Sequence, residues 1–356
     1  MKKLVFFVLL LPFLALSQTT KIVTGNDQLY PDSAWEQITD LAAFGWSTPQ
    51  LDELKKFIID SSHTTGMFVI QHGKVLFQYG DIQELSYLAS CRKSVLSMLY
   101  GPFVENGKID LNKTIGQMGL DDIGGLLPIE KQASIKDLLT ARSGVYHAAS
   151  NSGDATDMAP KRGSIKPGSF WLYNNWDFNI AGYILEKETG KSIYDLIDSI
   201  LAGPLQMQDW RKDVQRKSGD NTKSKYPAYH MWFSTRDMAR IGYLMLRNGK
   251  WKQRQIIPAN WIKTSTSIVT SNQEAVQNKT AYFNFGYGYL WWIWDKPFNT
   301  GYYEGAYSAM GAYGQFITII PKLDLVIAHK TKYEYERQTP VDIYLRVIDK
   351  LLSAKL

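Results

Sequence analysis

Strand signals lie towards both ends of this sequence, and a long stretch with helical periodicity lies between them. The segment GMFVIQHGKVLFQYG, residues 66–80, has β-branched and aromatic residues on both sides of a His-Gly-Lys turn, which predicts a hairpin. Beyond residue 284, the segments FGYGYLWWIW, GAYGQFITIIP and LDLVIAHK are typical of further strands. The simplest arrangement is one antiparallel sheet, with the helical stretch inserted and packed against it.

The helical stretch contains four segments that end at a glycine suited to a helix C-terminus, namely SVLSMLYGPFVENG, SIKDLLTARSG, NNWDFNIAGYILEKETG and STRDMARIGYLMLRNG. LDELKKFIIDS, residues 51–61, and VDIYLRVIDKLL near the end are also periodic. We therefore expect an α/β (α+β) fold in a single domain over residues 18–356. Residues 18–89 and 280–356 would form its α/β part, and residues 90–279 its helical part.

The first residues, MKKLVFFVLLLPFLALS, are typical of a secretory signal peptide over residues 1–17. Two lysines precede an apolar run, and Ala15 and Ser17 are the small residues expected before a cleavage site. The run is shorter than the roughly 20 residues needed to span a bilayer, so no stable membrane anchor is expected after cleavage. Cys91 is the one cysteine, which excludes an internal disulfide. We expect an exported bacterial protein, periplasmic or secreted.

Charge and motif spacing argue against several function classes. The net charge of +6 includes two lysines of the signal peptide, and the other bases are scattered among acids, so nucleic acid is not expected as a partner. The five histidines show no metal-ligand spacing, and neither a phosphate-binding G-x-x-x-x-G-K loop nor a G-x-S-x-G elbow is present. We therefore expect no cofactor and no metal site.

The stretch LASCRKSVLS, residues 88–97, begins a predicted helix with Ser90 at the position of an N-cap. Capping would explain Ser90 but not Arg92 and Lys93, because the first turn of a helix favours acids. Residues three apart lie on one helix face, so the Lys93 amine can reach the Ser90 hydroxyl. The pKa of Lys93 would be lowered by the positive helix end, by the charge of Arg92 and by burial. All three effects favour a neutral amine. This spacing predicts a nucleophilic Ser90 activated by Lys93, with Cys91 as a packing residue.

The longer segment SYLASCRKSVLSMLYGPFVENGKIDLNKTIGQM resembles the serine β-lactamase and penicillin-binding protein superfamily and its related esterases, in which S-x-x-K opens a buried helix. The similarity is of the class C β-lactamase type and covers about residues 50–335. The segment GAYGQ is most similar to the 6-aminohexanoate-dimer hydrolase branch, whose members cleave small amides and esters. The resemblance implies a β-lactamase/DD-peptidase-like fold, with an antiparallel sheet flanked by helices and an inserted helical region.

A second family element, Y-x-N, is matched by residues 173–175. The resemblance implies that Tyr173 acts as base toward the nucleophile and then as acid toward the leaving group. It also implies that Asn175 hydrogen-bonds Lys93 or the substrate. Residues 282–284 also match Y-x-N. In addition, either asparagine after Tyr173 could simply cap the next helix. The order of the family segments favours Tyr173.

The third family element, K-[ST]-G or H-x-G on a late strand, is altered here. The corresponding residues 309–311 read AMG, and residues 217–219 fit the letters but precede a helical segment. Gly311 still allows close backbone approach, and the amide of Ala312, or of Tyr313 if the alignment shifts, would form an oxyanion hole with the amide of the nucleophile. The oxyanion hole is therefore expected to form although the cationic side chain is missing.

These residues predict a serine hydrolase that acts on a small-molecule amide, ester or peptide through an acyl-enzyme. A penicillin-interactive D-Ala-D-Ala carboxypeptidase or β-lactamase is one alternative, and a noncatalytic ligand-binding protein of the same fold is another. The missing lysine disfavours carboxylate substrates unless Arg142 replaces it, and the sequence does not determine the oligomeric state. We also expect that an aromatic wall for an uncharged acyl group is formed by some of Trp291, Trp292, Trp294, Tyr302, Tyr303, Tyr307 and Tyr313.

Overall fold

The computed structural model describes residues 29–281 and 283–356. The predicted signal peptide, residues 1–17, and Tyr282 lie outside the described residues. Within the described ranges, no helix is both long enough and apolar enough to cross a membrane.

The helices and strands follow the order expected from the sequence. The helices are α1 (Thr48–Ser61), α2 (Cys91–Glu105), α3 (Ile135–Leu139), α4 (Asn175–Thr189), α5 (Ile193–Leu196), α6 (Thr235–Leu246), α7 (Ala259–Ser265), α8 (Asn272–Gln277) and α9 (Val341–Ser353). The strands are β1 (Gly66–Gln71), β2 (Lys74–Gly80), β3 (Ser86–Tyr87), β4 (Arg216–Ser218), β5 (Ala228–His230), β6 (Trp232–Phe233), β7 (Lys250–Trp251), β8 (Arg254–Gln255), β9 (Gly286–Tyr287), β10 (Trp292–Ile293), β11 (Tyr307–Gly311), β12 (Gln315–Ile320) and β13 (Leu325–Lys330).

Seven of the described strands form one antiparallel sheet in the order β2-β1-β13-β12-β11-β10-β9. The predicted hairpin is β1 and β2, and its turn has positive φ angles of 50° at His72 and 78° at Gly73. Strand β1 pairs with β13, so Gly66 faces Lys330 across the sheet. The early and late strands therefore share one sheet, as the sequence predicts.

Helices cover both faces of this sheet. Tyr344 of α9 stacks on Phe316 with ring centroids 4.0 Å apart. The neighbouring residue, Ile317, points to the other face, where it packs beside Gly242 of α6. α1 packs against α9, and α2 contacts β11 and β12 on the sheet as well as α4 and α7. α2 therefore joins the sheet to the helical region.

α2 is buried at every residue from Cys91 to Gly101, because its small residues allow close packing. A Cβ atom at Gly101 would lie 2.6 Å from the indole of Trp261, which donates a hydrogen bond of 2.7 Å to the Ser97 carbonyl. Ser94 donates to the carbonyl of Leu290 at 2.6 Å. The burial of this helix between the two parts, expected from the sequence, is confirmed.

Two local expectations are only partly right. The segment GAYGQFITIIP contains β12 from Gln315 to Ile320 as predicted, but Tyr313 and Gly314 have φ angles of 67° and 98° and form a turn between β11 and β12. The middle of the chain is also less uniformly helical than predicted. Its described residues include two-stranded ribbons, one of which joins Arg216–Ser218 to Ala228–His230.

Candidate active site

Ser90 lies where the chain leaves β3 and enters α2. The preceding residue, Ala89, has a positive φ of 48°, and Ser90 itself has helical dihedral angles of −76° and −10°. Its side chain accepts no capping hydrogen bond. The capping interpretation of Ser90 is therefore wrong, and its hydroxyl is directed to a different partner.

That partner is Lys93, one helical turn further on. The Lys93 Nζ atom donates a hydrogen bond of 3.0 Å to Ser90 Oγ and a second of 2.6 Å to the hydroxyl of Tyr173. Lys93 and Tyr173 are both buried, whereas Ser90 is partly exposed. The structure thus brings the three predicted catalytic residues together around one amine, with the serine on the accessible side.

The surroundings of Lys93 favour the neutral amine. Burial lowers the pKa of Lys93 well below its ordinary value, and the positive charge of Arg92 lowers it further. The guanidinium of Arg92 is itself buried and lies 4.4 Å from the ring centre of Tyr229. A neutral amine can accept a proton from a serine hydroxyl, which a charged lysine cannot do.

Aromatic rings enclose the amine. Lys93 Nζ lies 4.3 Å from the ring centre of Tyr173 and 4.5 Å from that of Phe178. Trp292 and Tyr287 pack against Tyr173 with ring centroids 5.4 Å and 6.2 Å away. The sequence analysis did not identify Phe178 or Tyr287. Phe178 lies five residues after Tyr173, but only the α4 geometry brings its ring to the lysine.

Tyr173 is fixed by the start of α4. Its carbonyl oxygen accepts a hydrogen bond of 2.9 Å from the amide of Ala155. The next residue, Asn174, caps α4 by accepting from the amide of Trp176 at 3.0 Å and donates to the Val145 carbonyl at 2.6 Å. Of the two asparagines after Tyr173, Asn174 is therefore the cap. The competing match begins at Tyr282, outside the described residues.

Asn175 is buried beside Tyr173, but its carboxamide bonds the neighbouring loop. Its Nδ2 atom donates to the carbonyl of Ser152 at 2.9 Å, and its Oδ1 atom has no hydrogen-bond partner within the described residues. The backbone amide of Asn175 donates to Asp154 at 3.0 Å. Contact of Asn175 with Lys93 or a substrate therefore stays a prediction, and Oδ1 is the atom left to make it.

Asp154 is a charged neighbour that the sequence analysis missed. Its Oδ1 atom accepts the hydroxyl of Thr156 at 2.8 Å, while its Oδ2 atom accepts the amide of Asn175. The negative charge of Asp154 acts against burial and Arg92 and raises the pKa of Lys93. The protonation of Lys93 therefore depends on two nearby charges of opposite sign.

The end of β11 lies directly against the nucleophile. A Cβ atom at Gly311 would lie 3.0 Å from the Ser90 nitrogen and 2.8 Å from the carbonyl oxygen of Leu88, so a larger residue would push these elements apart. Ala312 and Tyr313 follow in the turn, and both are accessible to solvent at least in part. Gly311 therefore lies beside Ser90, and the oxyanion role of the Ala312 or Tyr313 amide stays a prediction.

Cys91 faces away from the reaction centre. Its buried thiol donates to the carbonyl of Gln315 at 3.0 Å, and burial raises the pKa of the thiol. The residue therefore links α2 to β12 and has little thiolate character.

The chain matches known proteins in sequence over most of its length. The family model described as Beta-lactamase matches residues 55–348. The chain is a member of the Beta-lactamase family. A 6-aminohexanoate-dimer hydrolase from Paenarthrobacter ureafaciens is 22% identical over 329 residues, which cover 83% of this chain and 79% of that protein. The predicted superfamily is therefore confirmed.

Solved structures agree on the fold. A protein from Bacillus anthracis, described provisionally as a 6-aminohexanoate-dimer hydrolase, aligns with a TM-score of 0.65 and 20% identity, covering 91% of this chain and 88% of that one. A family VIII carboxylesterase aligns with a TM-score of 0.61 and 14% identity, covering 87% and 99% of the two chains. The β-lactamase/DD-peptidase-like fold is confirmed.

This Beta-lactamase-family chain lacks the cation of the third element. Ala309 and Met310 are buried in β11 and carry no charge. Lys217, in the only K-S-G match, lies in the separate β4–β5 ribbon and pairs with Glu186. Arg142 is also unavailable, since it donates to Thr270 at 2.6 Å and to Glu274 at 2.8 Å. The predicted replacement by Arg142 is therefore not seen, and Lys217 does not supply the missing charge either.

The expected aromatic wall stays a prediction, and most of its candidate rings belong to other surroundings. Trp291, Trp294 and Tyr307 are core residues, and Tyr303 stacks on Trp294 while its hydroxyl donates to Asp349. Of the predicted set, Trp292 contacts Tyr173 and Tyr313 lies in the turn after β11. Among the described residues, no group of three or more histidine, cysteine or acidic side chains is placed to hold a metal ion.

Proposed function

We propose that this member of the Beta-lactamase family is an exported serine hydrolase that forms an acyl-enzyme at Ser90 and hydrolyses small amides or esters. The observation that carries the proposal is the position of Lys93 Nζ, hydrogen-bonded to both Ser90 Oγ and the Tyr173 hydroxyl. One buried amine can then take the serine proton and exchange a proton with the tyrosine.

In the acylation step, the Ser90 oxygen attacks the substrate carbonyl carbon and its proton passes to Lys93. The amide of Ser90 and that of Ala312 or Tyr313 stabilise the resulting oxyanion. Tyr173 donates its proton to the leaving nitrogen or oxygen, the bond to the carbonyl carbon breaks, and Lys93 returns a proton to Tyr173. The acyl group is now an ester of Ser90, and the amine or alcohol departs.

In the second step, water attacks the ester carbonyl and loses its proton to the Lys93–Tyr173 pair. The tetrahedral intermediate collapses with return of a proton to Ser90 Oγ, which releases the carboxylic acid. The proton transfers from Ser90 to Lys93 and between Lys93 and Tyr173 join groups that are already within hydrogen-bond distance, which supports these two transfers.

The charges around the site support an acyl group without a carboxylate. Ala309 and Met310 stand where relatives that bind penicillins carry a cation, and the acidic Asp154 lies on the lysine side of the site. Losing a charge-assisted contact costs about 1.5 to 3 kcal/mol, which is roughly ten- to more than a hundredfold in affinity. The name of the Paenarthrobacter relative refers to an amide substrate, which is consistent with this class.

Export is the second part of the proposal and rests on residues 1–17, whose apolar run follows two lysines and ends at small residues. Edman sequencing of the protein recovered from the periplasm or medium is expected to begin near Gln18. An exported protein that still carries Met1 to Ser17 would contradict the signal peptide and leave the hydrolase proposal intact.

A fluorophosphonate probe and a substrate panel test the hydrolase. We expect covalent labelling at Ser90 and turnover of short p-nitrophenyl esters or small linear amides, with weak turnover of a chromogenic cephalosporin and of D-alanyl-D-alanine peptides. Higher kcat/KM for the cephalosporin or the peptides would favour the β-lactamase or carboxypeptidase alternative. Absence of both labelling and turnover would favour a noncatalytic ligand-binding protein.

A further inference from the structure

The turn between β11 and β12 has an unusual backbone. Tyr313 adopts a φ of 67°, a region that bulky residues rarely enter, and Gly314 follows with 98°. Such a conformation persists only where the surroundings hold it, and held conformations of this kind cluster at functional sites. In the proposed function this turn supplies the second oxyanion donor, so whatever holds Tyr313 sets the direction of that amide.

The backbone of the turn is anchored by two hydrogen bonds. The Tyr313 carbonyl accepts the amide of Thr339 at 3.1 Å. The Gly314 carbonyl accepts Nδ1–H of His329 at 3.0 Å, while Nε2 of the same ring accepts the Thr64 hydroxyl at 2.8 Å. Burial lowers the pKa of His329 to about 4, which keeps this neutral tautomer at ordinary pH. These bonds fix the Tyr313 and Gly314 carbonyls within the turn, but not the Tyr313 side chain.

The ring of Tyr333 covers that side chain. The two rings stack with centroids 4.0 Å apart and an angle of 24° between their planes. Tyr333 is 46% exposed, so its ring adds little to the core. Its own position is fixed through Lys332, whose amide donates to Thr65 at 2.9 Å and whose ammonium pairs with Glu84.

We propose that Tyr333 is a positioning residue for catalysis, whose ring holds Tyr313 in the left-handed conformation that directs the turn amides toward the substrate oxyanion. This rests on the proposed function of Ser90 and extends it to a residue outside the hydrogen-bonded cluster of Ser90, Lys93 and Tyr173. The ring carries the effect, because the contact is a stack of two aromatic faces. Tyr333→Phe therefore preserves the role, and Tyr333→Ala removes it.

The first test compares ester turnover in Tyr333→Ala, Tyr333→Phe and Tyr183→Ala. Tyr183 is a matched control, because it is 41% exposed and packs on Tyr226 with centroids 5.1 Å apart, on α4. We expect about a three- to tenfold fall in kcat for Tyr333→Ala with KM nearly unchanged, as for loss of an interaction made in the transition state. Tyr333→Phe and Tyr183→Ala are expected to match the wild type. A fall in Tyr333→Phe as large as in Tyr333→Ala, or none in either, would overturn the proposal.

A double-mutant cycle tests whether Tyr333 acts through Tyr313. Glycine adopts positive φ without strain, so in a Tyr313→Gly background the Tyr333→Ala change is expected to have less than half of its effect on kcat. Equal effects in both backgrounds would show that Tyr333 acts by another route and would refute the proposal.

Hydrogen exchange separates this inference from the hydrolase proposal. Amides in a peptide spanning Gly311–Gln315 are expected to exchange severalfold faster in Tyr333→Ala than in Tyr333→Phe. If the wild type shows no Ser90-dependent turnover, the hydrolase proposal fails and exchange alone decides whether Tyr333 holds the turn. Unchanged exchange, or faster exchange with unchanged kcat in an active enzyme, would overturn the positioning role.

Discussion

The Nζ atom of Lys93 lies 2.6 Å from the hydroxyl oxygen of Tyr173, and both side chains are buried. The same amine lies 3.0 Å from Ser90 Oγ, so the nucleophile and the tyrosine share one lysine. Removing either hydroxyl is expected to leave the fold in place and interrupt proton transfer.

Ser90→Ala is expected to abolish turnover and fluorophosphonate labelling, whereas Cys91→Ser should retain most of both. Ser90 is the hydroxyl paired with Lys93, while the Cys91 thiol is buried against the Gln315 carbonyl. Serine can still donate to that carbonyl, so the control keeps its contact. Rates and intact mass after labelling check both variants. Full activity in Ser90→Ala would rule out the mechanism.

Tyr173→Phe removes one hydroxyl and keeps the ring packed on Phe178 and Trp292. If that hydroxyl carries a proton in the transition state, the rate should fall by roughly 10² to 10⁴ with little change in thermal stability. Steady-state kinetics and a melting curve measure the two effects. A comparable loss in Tyr282→Phe, with Tyr173→Phe active, would assign the role to the other Y-x-N match.

Arg92→Met and Asp154→Asn are expected to shift the pH dependence of kcat/KM in opposite directions. Burial makes the largest contribution to the lowered pKa of Lys93, Arg92 lowers it further, and Asp154 raises it. Without Arg92 the pKa of Lys93 rises, more of the amine is charged at a given pH, and the acidic limb of the profile moves to higher pH. Without Asp154 the limb moves to lower pH. Shifts in the same direction would exclude neutral Lys93 as the base.

Lys330 should make stability rise with pH. Its buried ammonium donates to the carbonyls of Ser86, at 2.9 Å, and Phe233, and burial lowers its pKa to about 7. Between about pH 7 and 10.5 the unfolded chain binds more protons at this lysine than the folded chain, so the free energy of unfolding increases with pH, by at most about 1.4 kcal/mol per pH unit from one group.

Urea unfolding at pH 7 and pH 9.5 measures this dependence. Lys330→Met should have a smaller gain in stability over that interval than the wild type. Lys322→Met is the control, because Lys322 lies on the surface and pairs with Glu304. The prediction fails if Lys330→Met gains as much stability between the two pH values as the control does.

The sequence predicted local parts of the site better than those that depend on packing. The spacing of Ser90 and Lys93 was sufficient to predict that their side chains meet, since residues three apart lie on one helix face. Tyr173 is 80 residues further on, and only the family resemblance pointed to it. Phe178 and Asp154 reach Lys93 through the packing of α4 and its neighbouring loop, which no local pattern encodes.

The fold shows the same contrast. The β-branched and aromatic residues around a turn predicted the hairpin, and similar segments predicted the late strands; the antiparallel sheet followed from pairing them. The turn at residues 312–314 was missed, because GAYGQF has the composition of a strand and a tyrosine with positive φ is rare. Its conformation comes from contacts with His329, Tyr333 and Thr339, which lie further along the chain.

The pairing of β1 with β13 joins two segments that are translated at very different times. About 250 residues separate the end of β1 from the start of its partner, and at roughly 5 to 20 residues per second the ribosome needs about 13 to 50 seconds to make them. During that interval the β1–β2 hairpin exposes an apolar edge with unpaired amides, a surface prone to aggregation. Strand β1 therefore gains its second neighbour in the sheet only after nearly the whole chain has been made.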